Sequence, residues 1–112
     1  MKVHYSSKSN EWTTPQFLFD YLDSIYNFEL DPCATHENHK CDKYFTKEDD
    51  GLKQNWYGNV FINPPYAREI KHWVKKAHDE YIKHGGKKVL LIPARTDTIY
   101  MRIKINKLRK PF

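Results

Sequence analysis

Residues 59–94, NVFINPPYAREIKHWVKKAHDEYIKHGGKKVLLIPA, contain the pattern that decides the fold. The apolar run 60–62 stops at Asn63 and two prolines, which predicts a short strand followed by a rigid turn. Apolar residues then recur at steps of three and four, which predicts an amphipathic helix ending at the glycine pair 85–86. The continuous apolar run within 87–94 is typical of a strand buried on both faces. The apolar stripe of the helix consists of Ile70, Trp73, Val74, Ala77 and Tyr81.

A strand, a helix and a second strand in this order predict a right-handed crossover between parallel strands, and therefore an open α/β sheet. Ligands bind to such sheets beyond the carboxyl ends of the strands. Three candidate strands end in polar or proline-rich turns, which we expect at that edge: Asp31-Pro32, Asn63-Pro64 and Pro93-Ala94-Arg95.

The chain before residue 59 is predicted to supply one helix and two short strands. Thr14 is expected to be the N-cap of the helix and Pro15 its first residue, with the end near Asn27. FELDPCA (28–34) predicts a short strand that runs into a turn, because Pro32 cannot donate a ladder hydrogen bond. KYFT (43–46) predicts a second short strand, and the segments around it are irregular.

Length and charge restrict the class of protein. With 112 residues the chain forms at most one domain. The net charge of +5 comes entirely from residues 98–112, which hold five basic residues and no acid. Such a tail attracts phosphate without reading sequence, although a solvated charged end is an equally good interpretation. No apolar run approaches the roughly 18 residues of a membrane span, and there is no signal peptide, so a cytoplasmic protein with reduced thiols is expected.

The tetrapeptide Asn63-Pro64-Pro65-Tyr66 has a chemical interpretation of its own. Two prolines form a stiff corner that presents carbonyl groups without competing N–H donors, and Asn63 adds a side-chain acceptor. Such a socket suits a planar group that carries an NH2, and Tyr66 offers a flat face on which that group can stack. The alternative is a turn that ends a strand, followed by an incidental aromatic residue.

A metal site is the obvious hypothesis for four residues between the two short strands. Cys33, His36, His39 and Cys41 supply four zinc-ligand types within nine residues. Their spacing leaves little room to wrap a tetrahedral ion, because nothing resembles two well-separated ligand pairs. We therefore expect no metal at these residues.

Five segments together resemble the phage-type DNA adenine-N6 methyltransferase family: NEWTTPQFLFDYL, FELDPCAT, KYFTKEDDGLKQNW, NVFINPPY and VLLIPARTDT. The resemblance runs from about residue 10 to residue 98. It implies an α/β fold with an incomplete Rossmann-like methyltransferase sheet and flanking helices. It also implies transfer of a methyl group from S-adenosyl-L-methionine to the N6 amine of adenine in DNA, inside a bacterial host cell and with a phage or prophage origin.

The resemblance implies a catalytic role for Asn63, Pro64, Pro65 and Tyr66. Acceptors at Asn63 and the Pro64 carbonyl would bind both N–H groups of the amine, whose lone pair is otherwise delocalised into the ring. The base must leave the stack to reach this socket, and Tyr66 would hold the extruded ring.

The resemblance also implies the residues that bind the cofactor. Asp31 would accept from the ammonium of S-adenosylmethionine, and Ala34 would give the turn its small surface. One acid of the run 48–50 would contact the ribose and one the adenine, but the sequence does not decide which. The full set of cofactor residues is Thr14, Pro15, Asp31, Pro32, Cys33, Ala34, Asp49 and Asp50, with Arg68 and Arg95 as candidates for DNA contact and no metal.

Residues 99–112 depart from the family pattern. Ile99, Met101, Ile103 and Ile105 alternate with polar residues as in a strand, although a helical stripe also fits. We assign 1–10 to a flexible arm, 11–98 to the methyltransferase-like domain and 99–112 to a basic tail in place of the missing part of the family. The strand in 87–93 would then have an exposed edge, which the tail or a homo-oligomer would cover.

Two other functions stay open at this stage. The chain is alternatively an inactive remnant that binds DNA or cofactor weakly. The same socket would also accept a protein glutamine or the N4 amine of cytosine, since both carry a planar nitrogen.

Overall fold

The computed structural model describes residues 13–64, 69–93 and 101–106, and for 93 and 101–106 it describes the backbone. Helix α1 spans Gln16–Tyr26 and helix α2 spans Ile70–His84. The strands are β1 (Val60–Ile62), β2 (Lys88–Pro93) and β3 (Met101–Asn106), in the sheet order β1-β2-β3. β1 and β2 are parallel, so the predicted strand–helix–strand crossover is present, and β2 and β3 are antiparallel. The chain is thus a small mixed α/β protein.

Helix α1 begins one residue later than the sequence predicts. Pro15 has the extended backbone of a cap (φ −57°, ψ 141°), and no side chain caps the helix, so Thr14 is not its N-cap. The Pro15 carbonyl instead accepts from the N–H groups of Leu18 and Phe19. Asn27 ends the helix as predicted, in the left-handed conformation that Asn tolerates better than most residues.

The strand predicted in 28–34 is reduced to two single parallel bridges, Leu30 with Val60 and Asp31 with Tyr44. Its backbone pairs with β1 on one side, where Phe61 N–H donates to the Leu30 carbonyl. On the other side Asp31 N–H donates to the Lys43 carbonyl, within the second predicted strand. Pro32 has no N–H with which to continue the pairing with β1, whereas on the other side Ala34 N–H still donates to the Phe45 carbonyl. Segments 43–45 and 30–31 therefore extend the sheet beyond β1 by one residue pair each.

The two helices lie on opposite faces of the sheet. Leu18, Phe19 and Leu22 of α1 pack against Phe61 and Leu91. On the other face Trp73 and Ala77 of α2 pack with strand residues that alternate with those two. That second cluster comprises Leu30, Trp56, Val60, Ile62, Trp73, Ala77, Leu90 and Ile92. Burial on both faces explains why β1 and β2 appear as continuous apolar runs in the sequence.

The strand-like interpretation of the tail is confirmed for residues 101–106. β3 pairs with β2 along its whole length, from Lys88 opposite Asn106 to Pro93 opposite Met101. The edge of β2 that we predict from the sequence to be exposed is therefore paired with β3 of the same chain. This pairing removes the reason to expect a homo-oligomer that covers the edge. The arm 1–10 and residues 99, 100 and 107–112 lie outside the described residues.

Lys88 begins β2 with its side chain inside the protein. Its ammonium donates to the carbonyls of Gly58 at 2.7 Å and Gly85 at 2.6 Å. Burial lowers the pKa of Lys88, while the nearby carboxylates of Glu80 and Glu29 act in the opposite direction. The lysine thereby joins the turn before β1 to the glycine turn after α2. Neither α1 nor α2 is long and apolar enough to cross a membrane.

Candidate active site

A cavity of about 500 Å³ opens at the edge where segment 30–31 and β1 end. Because the two segments run parallel, their carboxyl ends meet at this edge, as the sequence predicts. The chain thus has the architecture of an α/β protein with a ligand site beyond its strand ends. The lining residues include Thr13, Thr14, Asp31, Pro32, Cys33, Ala34, Thr35, Asn38, Lys40, Thr46, Lys47, Asp50, Gly51, Asn63, Glu69 and Trp73.

Seven of the residues named from the sequence come together in this wall: Thr14, Asp31, Pro32, Cys33, Ala34, Asp50 and Asn63. Pro15, Asp49 and Pro64 are described but do not line the cavity. Pro65, Tyr66, Arg68 and Arg95 lie outside the described residues. The Asp31 turn and the start of the NPPY segment thus open into one space.

Asp31 is a buried carboxylate held by backbone donors. Its Oδ1 accepts from Cys33 N–H at 3.3 Å, and its Oδ2 accepts from Lys40 N–H at 2.9 Å. Burial raises the pKa of Asp31, and these two hydrogen bonds together with the charge of Lys40 act against it. A carboxylate has about four acceptor positions, so two are left for a ligand.

Thr14 lines the same cavity and carries a buried hydroxyl without a partner among the described residues. The residue is 3% exposed, and among the described residues nothing hydrogen-bonds its Oγ1. A buried hydroxyl in this state normally has a partner in the complete, functional molecule. The Thr14 hydroxyl is therefore a buried donor and acceptor that is not used to cap α1.

Asp49 and Asp50 of the acidic run 48–50 have different environments. Asp49 Oδ2 accepts from Thr46 N–H at 2.8 Å and from the Thr46 hydroxyl at 3.1 Å, which lowers the pKa of Asp49. Asp50 lines the cavity and is 3.7 Å from the exposed Lys53 ammonium. Of the two acids, Asp50 is therefore the one placed to contact a ligand.

Two stacked tryptophans support the floor of the cavity. The Trp56 ring lies 5.9 Å from the Trp73 ring at an angle of 18°, and its Nε1–H donates to the Gly51 carbonyl at 2.9 Å. Trp56 N–H donates to the carboxylate of Glu80, which is fully buried. Gly51 is in close contact with the turn, since an added Cβ would overlap the Pro32 carbonyl oxygen. Sequence reasoning missed this floor, because its partners are up to 24 positions apart.

The two histidines near the cavity make contacts within the protein, whereas the two cysteines are not bonded to each other. Both thiols are free, and burial raises the pKa of Cys33 and raises that of Cys41 to about 12. His39 stacks on Tyr44 at 4.0 Å, and its Nδ1 hydrogen-bonds the Cys41 carbonyl. His36 Nδ1 hydrogen-bonds the Tyr44 hydroxyl at 2.9 Å. Nowhere in the described part of the chain do three His, Cys, Asp or Glu residues come together as a possible metal site.

Several polar lining residues were not identified from the sequence. Thr35, Asn38 and Lys40 come from the irregular segment after the Asp31 turn, and Glu69 precedes α2. The bond from Lys40 N–H to Asp31 folds the irregular segment against the cavity. No local sequence pattern marks these residues, because their position depends on the hydrogen bond between Lys40 and Asp31, which are nine positions apart.

The comparison with known proteins assigns the class. A family model described as DNA N-6-adenine-methyltransferase (Dam) matches residues 3–109. The chain belongs to this DNA N-6-adenine-methyltransferase family, as the resemblance in the sequence indicates. No solved structure is significantly similar to the chain.

Two curated relatives carry the name DNA N-6-adenine-methyltransferase. That of Escherichia phage T1 is 36% identical over 92 residues, which cover 80% of this chain and 38% of the relative. That of Haemophilus phage HP1 is 32% identical over 89 residues, which cover 77% of this chain and 51% of the relative. The chain therefore spans about half of these relatives or less.

Proposed function

We propose that this chain transfers a methyl group from S-adenosylmethionine to the N6 amine of adenine in DNA. The observation that carries the proposal is the single cavity that joins Asn63, at the end of β1, to the Asp31 turn. A methyl donor beside Asp31 and an amine at Asn63 would meet in that space. Proximity alone supplies a large part of the rate for such a transfer. The described sheet would form part of a Rossmann-like methyltransferase domain.

The acceptor side of the site consists of Asn63 and the three residues that follow it in the sequence. The Asn63 side-chain carbonyl and the Pro64 backbone carbonyl would accept the two N–H groups of the adenine amine. Both hydrogen bonds return electron density to the nitrogen, which makes it a better nucleophile. Pro65 would keep the corner rigid, and Tyr66 would stack on the extruded base.

The cavity wall around Asp31 suits the methyl donor, S-adenosylmethionine. A cavity of about 500 Å³ lies in the range expected for cofactor sites. Asp31 has acceptor positions for an ammonium, the unpartnered Thr14 hydroxyl suits a polar group, and Asp50 suits a ribose or an adenine amine. When bound there, S-adenosylmethionine supplies an electrophilic methyl group on a sulfonium.

DNA is the proposed partner, and it would bind where the cavity opens to the protein surface. Residues 98–112 carry five basic residues and no acid, and Arg68 and Arg95 flank the two strand ends in the sequence. Their charge would hold the phosphate backbone near the site. The place of action would be the cytoplasm of a bacterial host cell.

The test combines binding with transfer. The chain is titrated with S-adenosylhomocysteine by calorimetry, and is then incubated with labelled S-adenosylmethionine and adenine-containing DNA. We expect N6-methyladenine in the digested DNA, and its loss in Asn63→Ala. Asn55→Ala is the matched control, because Asn55 is exposed and does not line the cavity.

Other outcomes separate the alternatives. Binding without transfer to any acceptor would make the chain a cofactor-binding remnant. Label in polypeptide would indicate glutamine, and label in N4-methylcytosine would indicate cytosine. Either result would overturn adenine as the substrate.

A further inference from the structure

Lys40 is a half-buried lysine in the wall of the cavity. Its backbone N–H donates to Asp31 Oδ2 at 2.9 Å, so the residue lies directly beside the buried carboxylate. Its ammonium donates to Gln16 Oε1 at 2.9 Å, and Gln16 Nε2 donates to Asp20 Oδ1 at 2.8 Å. Helix α1 thereby fixes the position of the Lys40 ammonium.

An α-amino acid group carries an ammonium and a carboxylate on one carbon atom. A site that recognises both charges needs a carboxylate and a cation on the same wall, a few ångströms apart. Asp31 and Lys40 both line the cavity and are joined by the hydrogen bond from the Lys40 backbone N–H, and the charge of Lys40 acts on the Asp31 carboxyl group. Thr14, which is 3% exposed, lines the same cavity, and its buried hydroxyl has no partner among the described residues.

The other lysine of the cavity wall belongs to a different part of the site. Lys47 follows Thr46 and lies three residues from Asp50, which we assign to the ribose or adenine. Lys40 is the lysine joined directly to Asp31. Of the two lysines in the wall, Lys40 is therefore the one placed to act together with Asp31.

We propose that Lys40 binds the carboxylate of the methionine end of S-adenosylmethionine, next to the ammonium bound by Asp31. This inference rests on the proposed function, and it adds a residue that determines which donors the site accepts. Lys40 acts in binding and takes no part in the transfer of the methyl group. Its contact with Gln16 orients the side chain before the donor arrives, which limits the entropy lost on binding.

The test compares two ligands on the full chain by calorimetry. S-adenosylhomocysteine has the amino acid end, whereas 5′-methylthioadenosine keeps the adenosine and the thioether but lacks it. We expect Lys40→Met to weaken S-adenosylhomocysteine about 10- to 100-fold, as for a lost hydrogen bond to a charged group. Binding of 5′-methylthioadenosine should stay within about twofold of wild type.

Two further variants complete the experiment. Lys40→Arg keeps a cation and should restore most of the affinity for S-adenosylhomocysteine. Lys43→Met removes an equal charge from the same segment, and its exposed side chain lies outside the cavity wall, so it should bind both ligands like wild type.

Each remaining outcome overturns a different statement. Equal binding of S-adenosylhomocysteine by wild type and Lys40→Met would refute the role of Lys40 and leave the proposed function intact. An equal loss of both ligands would show that Lys40 only maintains the fold of the cavity. A wild-type chain that binds neither ligand would refute the proposed function, and this inference with it.

Discussion

Asp31 is a buried carboxyl group, whereas the role that we propose for it, binding an ammonium, needs its charge. It is 4% exposed, and burial raises its pKa, yet two backbone N–H groups are directed at its oxygens. Those donors offset part of the cost of placing a carboxylate inside the protein. A ligand ammonium would offset more of it, since opposite charge favours the ionised form.

The raised pKa of Asp31 predicts a direction for stability against pH. Asp31 stays protonated to a higher pH in the folded protein than in the unfolded chain. Its contribution to the free energy of unfolding is therefore complete below about pH 4. That contribution is lost as the pH rises through the folded-state pKa. The free energy of unfolding of wild type minus that of Asp31→Asn should therefore decrease between about pH 4 and pH 7. Urea unfolding at several pH values measures it, and an increase over this range would contradict the raised pKa.

A second prediction at the scale of one residue concerns the effect of replacing Gly51 on stability and ligand binding. In Gly51→Ala the new Cβ would overlap the Pro32 carbonyl and lie 3.3 Å from the Trp73 ring. We expect a loss of about 1 to 3 kcal/mol in the free energy of unfolding, as for overpacked sites, and weaker binding of S-adenosylhomocysteine.

Gly85→Ala is the matched control for Gly51. Its Cβ would meet nothing within 4 Å, but the residue has φ +67° and ψ −158°, a conformation typical of glycine, so the change costs about 1 to 3 kcal/mol through backbone strain alone. Binding of S-adenosylhomocysteine should be unchanged in Gly85→Ala. Equal binding by both variants would show that the Pro32 turn tolerates the displacement.

At the scale of elements, Glu80 joins α2 to the chain before β1. It is fully buried, accepts from Trp56 N–H and lies 3.4 Å from the Lys76 ammonium. Removing it leaves a buried N–H and a mostly buried ammonium without their acceptor. Glu80 thus holds in place the tryptophan on which the cavity floor rests.

Glu80→Ala should lower the free energy of unfolding by about 3 kcal/mol, the usual result of breaking one side of a buried pair. Glu80→Gln should lose about 1 kcal/mol, because an amide oxygen can still accept from Trp56 N–H. The neighbouring Asp79→Ala should have no measurable effect, since its contact with Lys75 is exposed. Thermal or urea unfolding distinguishes them, and equal losses for the two Glu80 variants would show that charge rather than hydrogen bonding matters.

The order of the elements could be predicted from the sequence, because β1, α2 and β2 are each marked by residues close together in the chain. Contacts between distant residues could not. The strand predicted in 28–34 becomes two bridges because Pro32 cannot continue the pairing with β1 just after Asp31. Likewise, Trp56 and Glu80 meet only when α2 lies on the sheet. The same distinction applies to the site. Asn63 and Asp31 could be predicted because each ends a predicted strand. Lys40 could not, because a hydrogen bond between distant residues brings it to the cavity and no local sequence pattern marks it.

At the scale of the whole molecule, β3 protects the sheet. It pairs with all six residues of β2, an apolar strand that would otherwise present unpaired N–H and carbonyl groups. The choice between strand and helix for 101–106 could not be made from the sequence, since both periods fit. The pairing with β2 decides it.

A chain truncated after residue 100 should aggregate, because the edge of β2 then pairs with other chains. A chain truncated after residue 106 keeps all of β3 and is the matched control. Light scattering at increasing protein concentration should show large particles for the shorter chain and none for the longer one. Monodisperse solutions of both would show that β3 is not needed to protect β2.

The buried ammonium of Lys88 has a practical consequence. An acylating reagent attacks the free lone pair of an exposed amine, whereas this nitrogen is enclosed and donates to two carbonyl groups. Chemical footprinting of the lysines by mass spectrometry would therefore leave Lys88 unlabelled for as long as the native packing persists. Its first labelling would report the opening of the protein interior.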